Sequence, residues 1–133
     1  MLAFEAVSAI RVVAGSTVLD ALATRSDRLA VAPILRIAPD ELLIIGRIAL
    51  VDIADEHALI EMEDGLVADQ LTWPEFETAI RPHLDWTLPT TRPSAALGLV
   101  AAVSCQLWLT DSGVLVMTYA CYAHELRERV LTR

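Results

Sequence analysis

From Ser94 to Thr110 the chain carries no charged side chain, and the apolar run resumes after Asp111-Ser112-Gly113 and continues to Tyr119. Gly98, Ser104 and Gln106 interrupt it before it reaches the roughly 18 to 20 apolar residues that a bilayer demands, so it is read as sheet and not as a membrane span. Asp111-Ser112-Gly113 is turn chemistry, because Gly supplies positive φ and Asp bonds its own backbone. The arms on either side are rich in Val, Leu, Trp and Tyr, which predicts a β-hairpin over Ser94 to Tyr119 around which the chain is organised. Gln106, Trp108 and Thr110 alternate with Leu107 and Leu109, so the first arm is expected half-buried near the turn. Leu97 to Val103 is expected to be covered on both faces.

The rest of the chain fits one α+β domain over residues 1–133, long enough to bury about two-thirds of its unfolded surface. Hydrophobic residues make up 55% but aromatics only 5%, so the core is aliphatic and the surplus of apolar surface suits an interface. A net charge of −8 repels phosphates and anionic lipid heads, and the arginines are scattered rather than striped; neither nucleic acid nor a membrane is expected as a partner. Cys105 and Cys121 match no metal-ligand spacing and are read as buried free thiols. Met1-Leu2-Ala3-Phe4-Glu5 lacks a basic segment followed by a long apolar one, so a cytoplasmic location is expected.

Ala9 to Ala14 is β-branched enough for a strand that Gly15 ends. Ser16 or Thr17 then caps a helix to about Arg25, with Val18, Leu19 and Leu22 buried, Asp20 in its first turn and Ser26-Asp27-Arg28 as a connector. Ile34 to Ala38 and Leu42 to Gly46 flank Pro39-Asp40, a second hairpin whose proline has its φ already set. Leu35–Ile45 aligns without a gap on Leu107–Met117, as an internal duplication of a βαββ-type half would leave and as any two tight hairpins share. Ala49 to Ile53 reads as a strand, and His57 to Glu63 as another, with Ala58, Ile60 and Met62 facing one way and His57, Glu61 and Glu63 mostly the other, so that one face is wet. Leu66 to Leu71 is helix-like, Trp73 to Ile80 is a short helix with proline at its start, and Pro89 to Pro93 is a loop. The chain closes on a helix with Tyr122, Ala123, Leu126 and Val130 as its apolar stripe and a Glu125–Arg129 pair on its surface.

Chemistry is sparse. The densest polar group, Asp52, Asp55, Glu56, His57, Glu61, Glu63 and Asp64, reads as a solvated acidic turn and strand; a metal reading would pair His57 with Glu61 and add Asp55 or His83. Glu61 and Glu63 are ordinary alternate strand residues, with nothing that marks an acid–base pair. Ser104-Cys105 lacks the glycines of a nucleophile elbow, His124 lies on a surface-biased helix, and the five glycines form no phosphate loop. No catalytic residue, no metal and no cofactor is assigned, and the chain is not expected to be catalytic by itself. Trp73, Trp86 and Trp108 with Arg92 remain as ligand or interface residues, either lining a pocket for a flat anionic ligand or serving as core plugs and interface anchors.

Three stretches, spanning roughly residues 35 to 131, resemble the γ-subunit family of heterotetrameric sarcosine oxidase, related in fold to the folate-binding domain of the glycine-cleavage aminomethyltransferase. Leu35-Arg36-Ile37-Ala38-Pro39-Asp40-Glu41-Leu42-Leu43-Ile44 looks like the family's Pro-Asp-Glu hairpin. Val51-Asp52-Ile53 followed by Leu59-Ile60-Glu61-Met62 and Gly65 looks like its strand pair and glycine, although Ala54 stands where the family usually has Ser. Leu107-Trp108-Leu109 with Tyr122 to Leu126 looks like its closing strands and helix. The resemblance implies a two-layer α+β domain of mainly antiparallel strands with helices on one side, in two ferredoxin-like βαββ-type halves. It also implies a non-catalytic accessory subunit that acts through a protein partner or as a homo-oligomer. The residues of the aminomethyltransferase folate site find no counterpart here.

Overall fold

Local signals set the first elements. The computed structural model describes residues 2–29, 33–46 and 56–131, except for the side chains of 24–29. A two-residue strand β1 (Glu5–Ala6) is followed by β2 (Ala9–Val13), which stops before Gly15 and hands the chain to helix α1 (Ser16–Leu29). The helix runs through Ser26-Asp27-Arg28 instead of stopping at Arg25, because no Gly or Pro occurs before Pro33. Asp20 lies beyond the first turn, where its Oδ1 accepts from Arg36 Nη1 at 2.7 Å. The hairpin β3 (Ile34–Ala38) and β4 (Glu41–Ile45) turns at Pro39-Asp40 as expected. Next come β5 (Leu59–Glu63), β6 (Leu66–Leu71), α2 (Trp73–Ala79) and a 3-10 turn at Arg81–His83. Strands β7 (Ser94–Val100), β8 (Val103–Thr110) and β9 (Gly113–Tyr119) and helix α3 (Ala120–Leu131) complete the chain. The strand read over Ala49 to Ile53 lies outside the described residues.

The backbone divides into two compact units, Val7–Asp64 and Met1–Ala6 with Gly65–Arg133. The first has an antiparallel sheet of order β3-β4-β2-β5, and α1 covers one face through Leu19 and Leu22 against Ile10, Val12, Ile34, Leu42 and Ile44. The second has the order β1-β6-β9-β8-β7, all antiparallel, with α2 and α3 on one face. There Phe76, Ile80, Leu126 and Val130 pack on Leu107, Leu109, Val114 and Val116; burying Phe76 alone contributes about 2 kcal/mol. The fold is thus α+β, two-layered, with helices on one side of antiparallel strands, as expected. In each unit a strand enters a helix and a hairpin returns beside that strand: β2, α1 and β3–β4 in one, β6, α2 and β8–β9 in the other. The two spatial orders coincide once β7 is set aside as an added edge strand, although β1 precedes β6 in the chain whereas its counterpart β5 follows the hairpin.

Two expectations fail at the sheet of the second unit. Leu66–Leu71 is a strand, not a helix, since pairing with β9 on one side and β1 on the other outweighs its local helix propensity. Ser94 to Thr110 is two strands, not one arm, because the chain reverses at Ala101-Ala102 with φ of 50° and 66°. That reversal makes β7 an edge strand, so Leu97 and Leu99 are exposed rather than covered on both faces. Tyr122 also escapes the expected stripe and is exposed, whereas Leu126 and Val130 are buried.

Candidate functional site

Thr72 starts the best-formed local structure near the sequence-selected residues. Its Oγ1 accepts from the Glu75 N–H at 3.3 Å, and Glu75 Oε1 accepts from the Thr72 N–H at 2.8 Å, a reciprocal cap on α2. These bonds, the backbone one first, hold the Glu75 carboxyl below the usual carboxylate range. The cap fixes Trp73, which stands edge-on to Phe76 at 5.5 Å between ring centroids and donates from Nε1 to the Thr110 carbonyl at 2.8 Å. Arg92, half-buried, lies 4.9 Å from the Trp73 ring, and its Nη1 donates to the carbonyls of Pro89 at 2.6 Å and Thr91 at 2.8 Å. Its Nε and Nη2 have no protein partner among the described residues. From the 3-10 turn that follows α2, Arg81 lies over Phe76 and donates to Glu77, a bond that lowers the pKa of Glu77 and raises that of Arg81.

The structure therefore brings Arg92 and Trp73 together but does not gather the three tryptophans. Trp86 packs on the same core from the segment after α2, with its indole over Gly98 and its Nε1 donating to the Leu99 carbonyl at 2.8 Å. Trp108 alternates along β8 with Leu107 and Leu109, which line that core, so it points to the opposite face of the sheet. A shallow groove beside α2 is lined by Leu71, Pro74, Glu75, Thr78 and Ala79 and by none of these four residues.

The polar residues scatter. Asp52 and Asp55 lie outside the described residues, Glu56 and His57 form an exposed pair at 3.4 Å, and Glu61 is exposed. Glu63 accepts from Arg11 Nη2 at 2.9 Å while Arg11 Nη1 reaches Glu41 at 3.2 Å, so this part of the acidic stretch is an ion-pair network on the β2, β4 and β5 surface. Among the described residues no three His, Cys, Asp or Glu side chains could hold a metal ion. Cys105 is a buried thiol as expected, pushed up to about 12 by desolvation. Cys121 is exposed, contrary to expectation, because it sits five positions before Leu126 and off the buried stripe of α3.

Sequence reading missed the apolar residues left on strand edges. Ile60 and Met62 share the apolar face of their strand, yet they are 48% and 64% exposed, and Leu59 on the other face is 59% exposed. Alternation identified the apolar face of the strand but not that β5 would lie at the margin of its sheet.

The fold belongs to the class of α+β domains made of two antiparallel sheets, each with its helices on one face. Within that class the chain resembles a chain of heterotetrameric sarcosine oxidase from Corynebacterium sp. U-96, solved in complex with pyrrole 2-carboxylate. The TM-score is 0.72 at 18% sequence identity, covering 96% of this chain and 80% of that chain. No family model and no curated protein sequence matches. No described helix is long and apolar enough to cross a membrane.

Proposed function

We propose that this protein is a non-catalytic accessory subunit, resembling the γ subunit of sarcosine oxidase, that acts in the cytoplasm by association with a protein partner. The observation that carries the reading is the fold likeness over 96% of the chain to a component of a heterotetrameric enzyme. Exposed Leu59, Ile60, Met62, Leu97 and Leu99 on edge strands support it, since apolar side chains at sheet margins gain from being covered. The same reading takes the two units as ferredoxin-like halves, supported by their common strand order. Affinity capture from the native host with the tagged full chain, followed by light scattering of the purified complex, tests it. A defined heteromeric complex is expected, and a chain that stays monomeric and captures no partner would overturn it.

Arg92 supports a second reading, a binding module for a small anionic ligand. Two carbonyls and the Trp73 ring hold its guanidinium while Nε and Nη2 have no partner among the described residues, as a carboxylate clamp requires. A thermal-shift screen with folates and anionic metabolites on wild type and Arg92→Ala tests this, because a ligand bound to the native state raises Tm by mass action. A shift present in wild type and lost in the variant is expected; no shift in either ends the reading.

A further inference from the structure

The sheet margins of this protein are not alike. On the β3 margin, Arg36 donates to the carbonyls of Ala38 at 3.1 Å, Pro39 at 2.5 Å and Ser16 at 3.3 Å. On the β7 margin, Trp86 caps the Leu99 carbonyl and His83 accepts from the Ala101 N–H at 3.2 Å. The β1 margin is only two residues long, and Asp69 accepts from the nearby Ala3 N–H at 2.9 Å. These are the devices by which natural sheets blunt their edges. Among the described residues no side chain or loop caps the main-chain groups of the β5 margin, whose only blunting device is the charge of Glu61 and Glu63; β5 pairs there with β2 alone, so alternate residues direct N–H and C=O groups outward.

The side chains along this margin have a definite pattern. Ile60 and Met62 lie on the face of the sheet that α1 covers at Ile10 and Val12, but they extend beyond that cover. Glu61 and Glu63 lie on the other face, with Glu61 exposed and without an ion partner among the described residues, and with Glu56 and Asp64 exposed at either end of the strand.

We propose that the margin of β5, unpaired among the described residues, is a docking site for an extended segment of a partner protein whose side chains alternate apolar and basic. Added as a further strand, such a segment completes the main-chain ladder. It covers Ile60 and Met62 on one face and sets Lys or Arg against Glu61 on the other. A second copy of this chain is a poorer occupant. An antiparallel β5 pair centred on Glu61 places Glu61 opposite Glu61, and each chain carries a net charge of −8.

The inference rests on the accessory-subunit reading, so its test separates the two. The isotope-labelled full chain is titrated with an acetylated, amidated peptide alternating Val and Lys, and with its Val/Glu counterpart, and amide shifts and hydrogen exchange are followed. The Val/Lys peptide is expected to shift and protect Leu59–Glu63, and Glu61→Lys to weaken it about tenfold, the effect of about 1.4 kcal/mol. Ile60→Asp is expected to abolish the response while the other amide signals stay in place. No response at β5, an equal response to both peptides, or a concentration-dependent dimer that Ile60→Asp disrupts would each overturn the assignment. In capture from the native host, a partner held equally by wild type, Glu61→Lys and Ile60→Asp removes the β5 site and leaves the association reading standing. Failure of wild type to capture any partner removes the association reading itself.

Discussion

The indole of Trp86 occupies the space in which any side chain at residue 98 would lie: a Cβ on Gly98 would stand 2.6 Å from two of its ring carbons. The contact places Trp86 over the middle of β7, where its Nε1 also closes the Leu99 carbonyl. Gly98→Ala is therefore expected to displace the ring and destabilise the protein by about 1–3 kcal/mol, the usual effect of overpacking. Chemical denaturation, together with a change in tryptophan emission, checks this. An unchanged midpoint and spectrum would mean that the indole moves aside at no cost.

The β7–β8 reversal uses Ala101 and Ala102 in the left-handed region, at φ of 50° and 66°, where glycine and asparagine are at home. Arg129 Nη1 donates to the Ala101 carbonyl at 2.9 Å and so steadies the turn from α3. Ala102→Gly is expected to stabilise by about 0.5–1 kcal/mol, the relief of left-handed strain less the entropy that glycine loses. A lower Tm in the variant would contradict the turn.

Gln106 is buried on β8 between Leu97 and Met117, and its Oε1 has no hydrogen-bond partner among the described residues. An unmet buried acceptor is worth removing, so Gln106→Met is expected to be neutral or to stabilise by up to about 1 kcal/mol. Equilibrium unfolding decides the matter, and a clear loss of stability would show that the amide has a partner.

Thr72→Ala opens the reciprocal cap of α2 and is expected to cost about 1 kcal/mol. Glu75 adds a pH dependence. Its native pKa is lowered by the Thr72 bonds, so its contribution is present above the ordinary carboxylate value of 4.5 and is lost as pH falls through the lower native value. The stability difference between wild type and Glu75→Gln should accordingly be largest near neutrality and vanish in acid. A difference that grows on acidification would reverse the assignment.

The two thiols should separate cleanly. Burial holds Cys105 protonated, with its pKa moved from 9.0 to about 12, whereas Cys121 is exposed. Alkylation of the native protein at mild alkaline pH should mark Cys121 alone, by peptide mass, and Cys105 only after unfolding. Because the native pKa of Cys105 is raised, its contribution to stability is complete below about 9 and is lost as pH rises toward about 12.

Much of this fold is written locally. Pro39-Asp40 fixes the first hairpin, Gly15 ends β2, Thr72, Pro74 and Glu75 start α2, and Glu125–Arg129 with Leu126 and Val130 define α3. Each signal acts over a few residues, so each survives outside its tertiary setting. The fold class follows from those elements. Tertiary structure alone decides what depends on distant partners. Leu66–Leu71 becomes a strand because β9 and β1 accept its backbone, and the Ala101-Ala102 reversal, which carries no glycine or asparagine signal, persists because strand pairing outweighs its strain. Pairing order also places β5 and β7 at the margins, where Ile60, Met62, Leu97 and Leu99 meet solvent, and sends Trp108 to the opposite face from Trp73 and Trp86. Alternation in the sequence tells which residues share a face. Only the long-range ladder determines whether that face is covered, since the free energy that selects it comes from contacts between residues far apart in the chain.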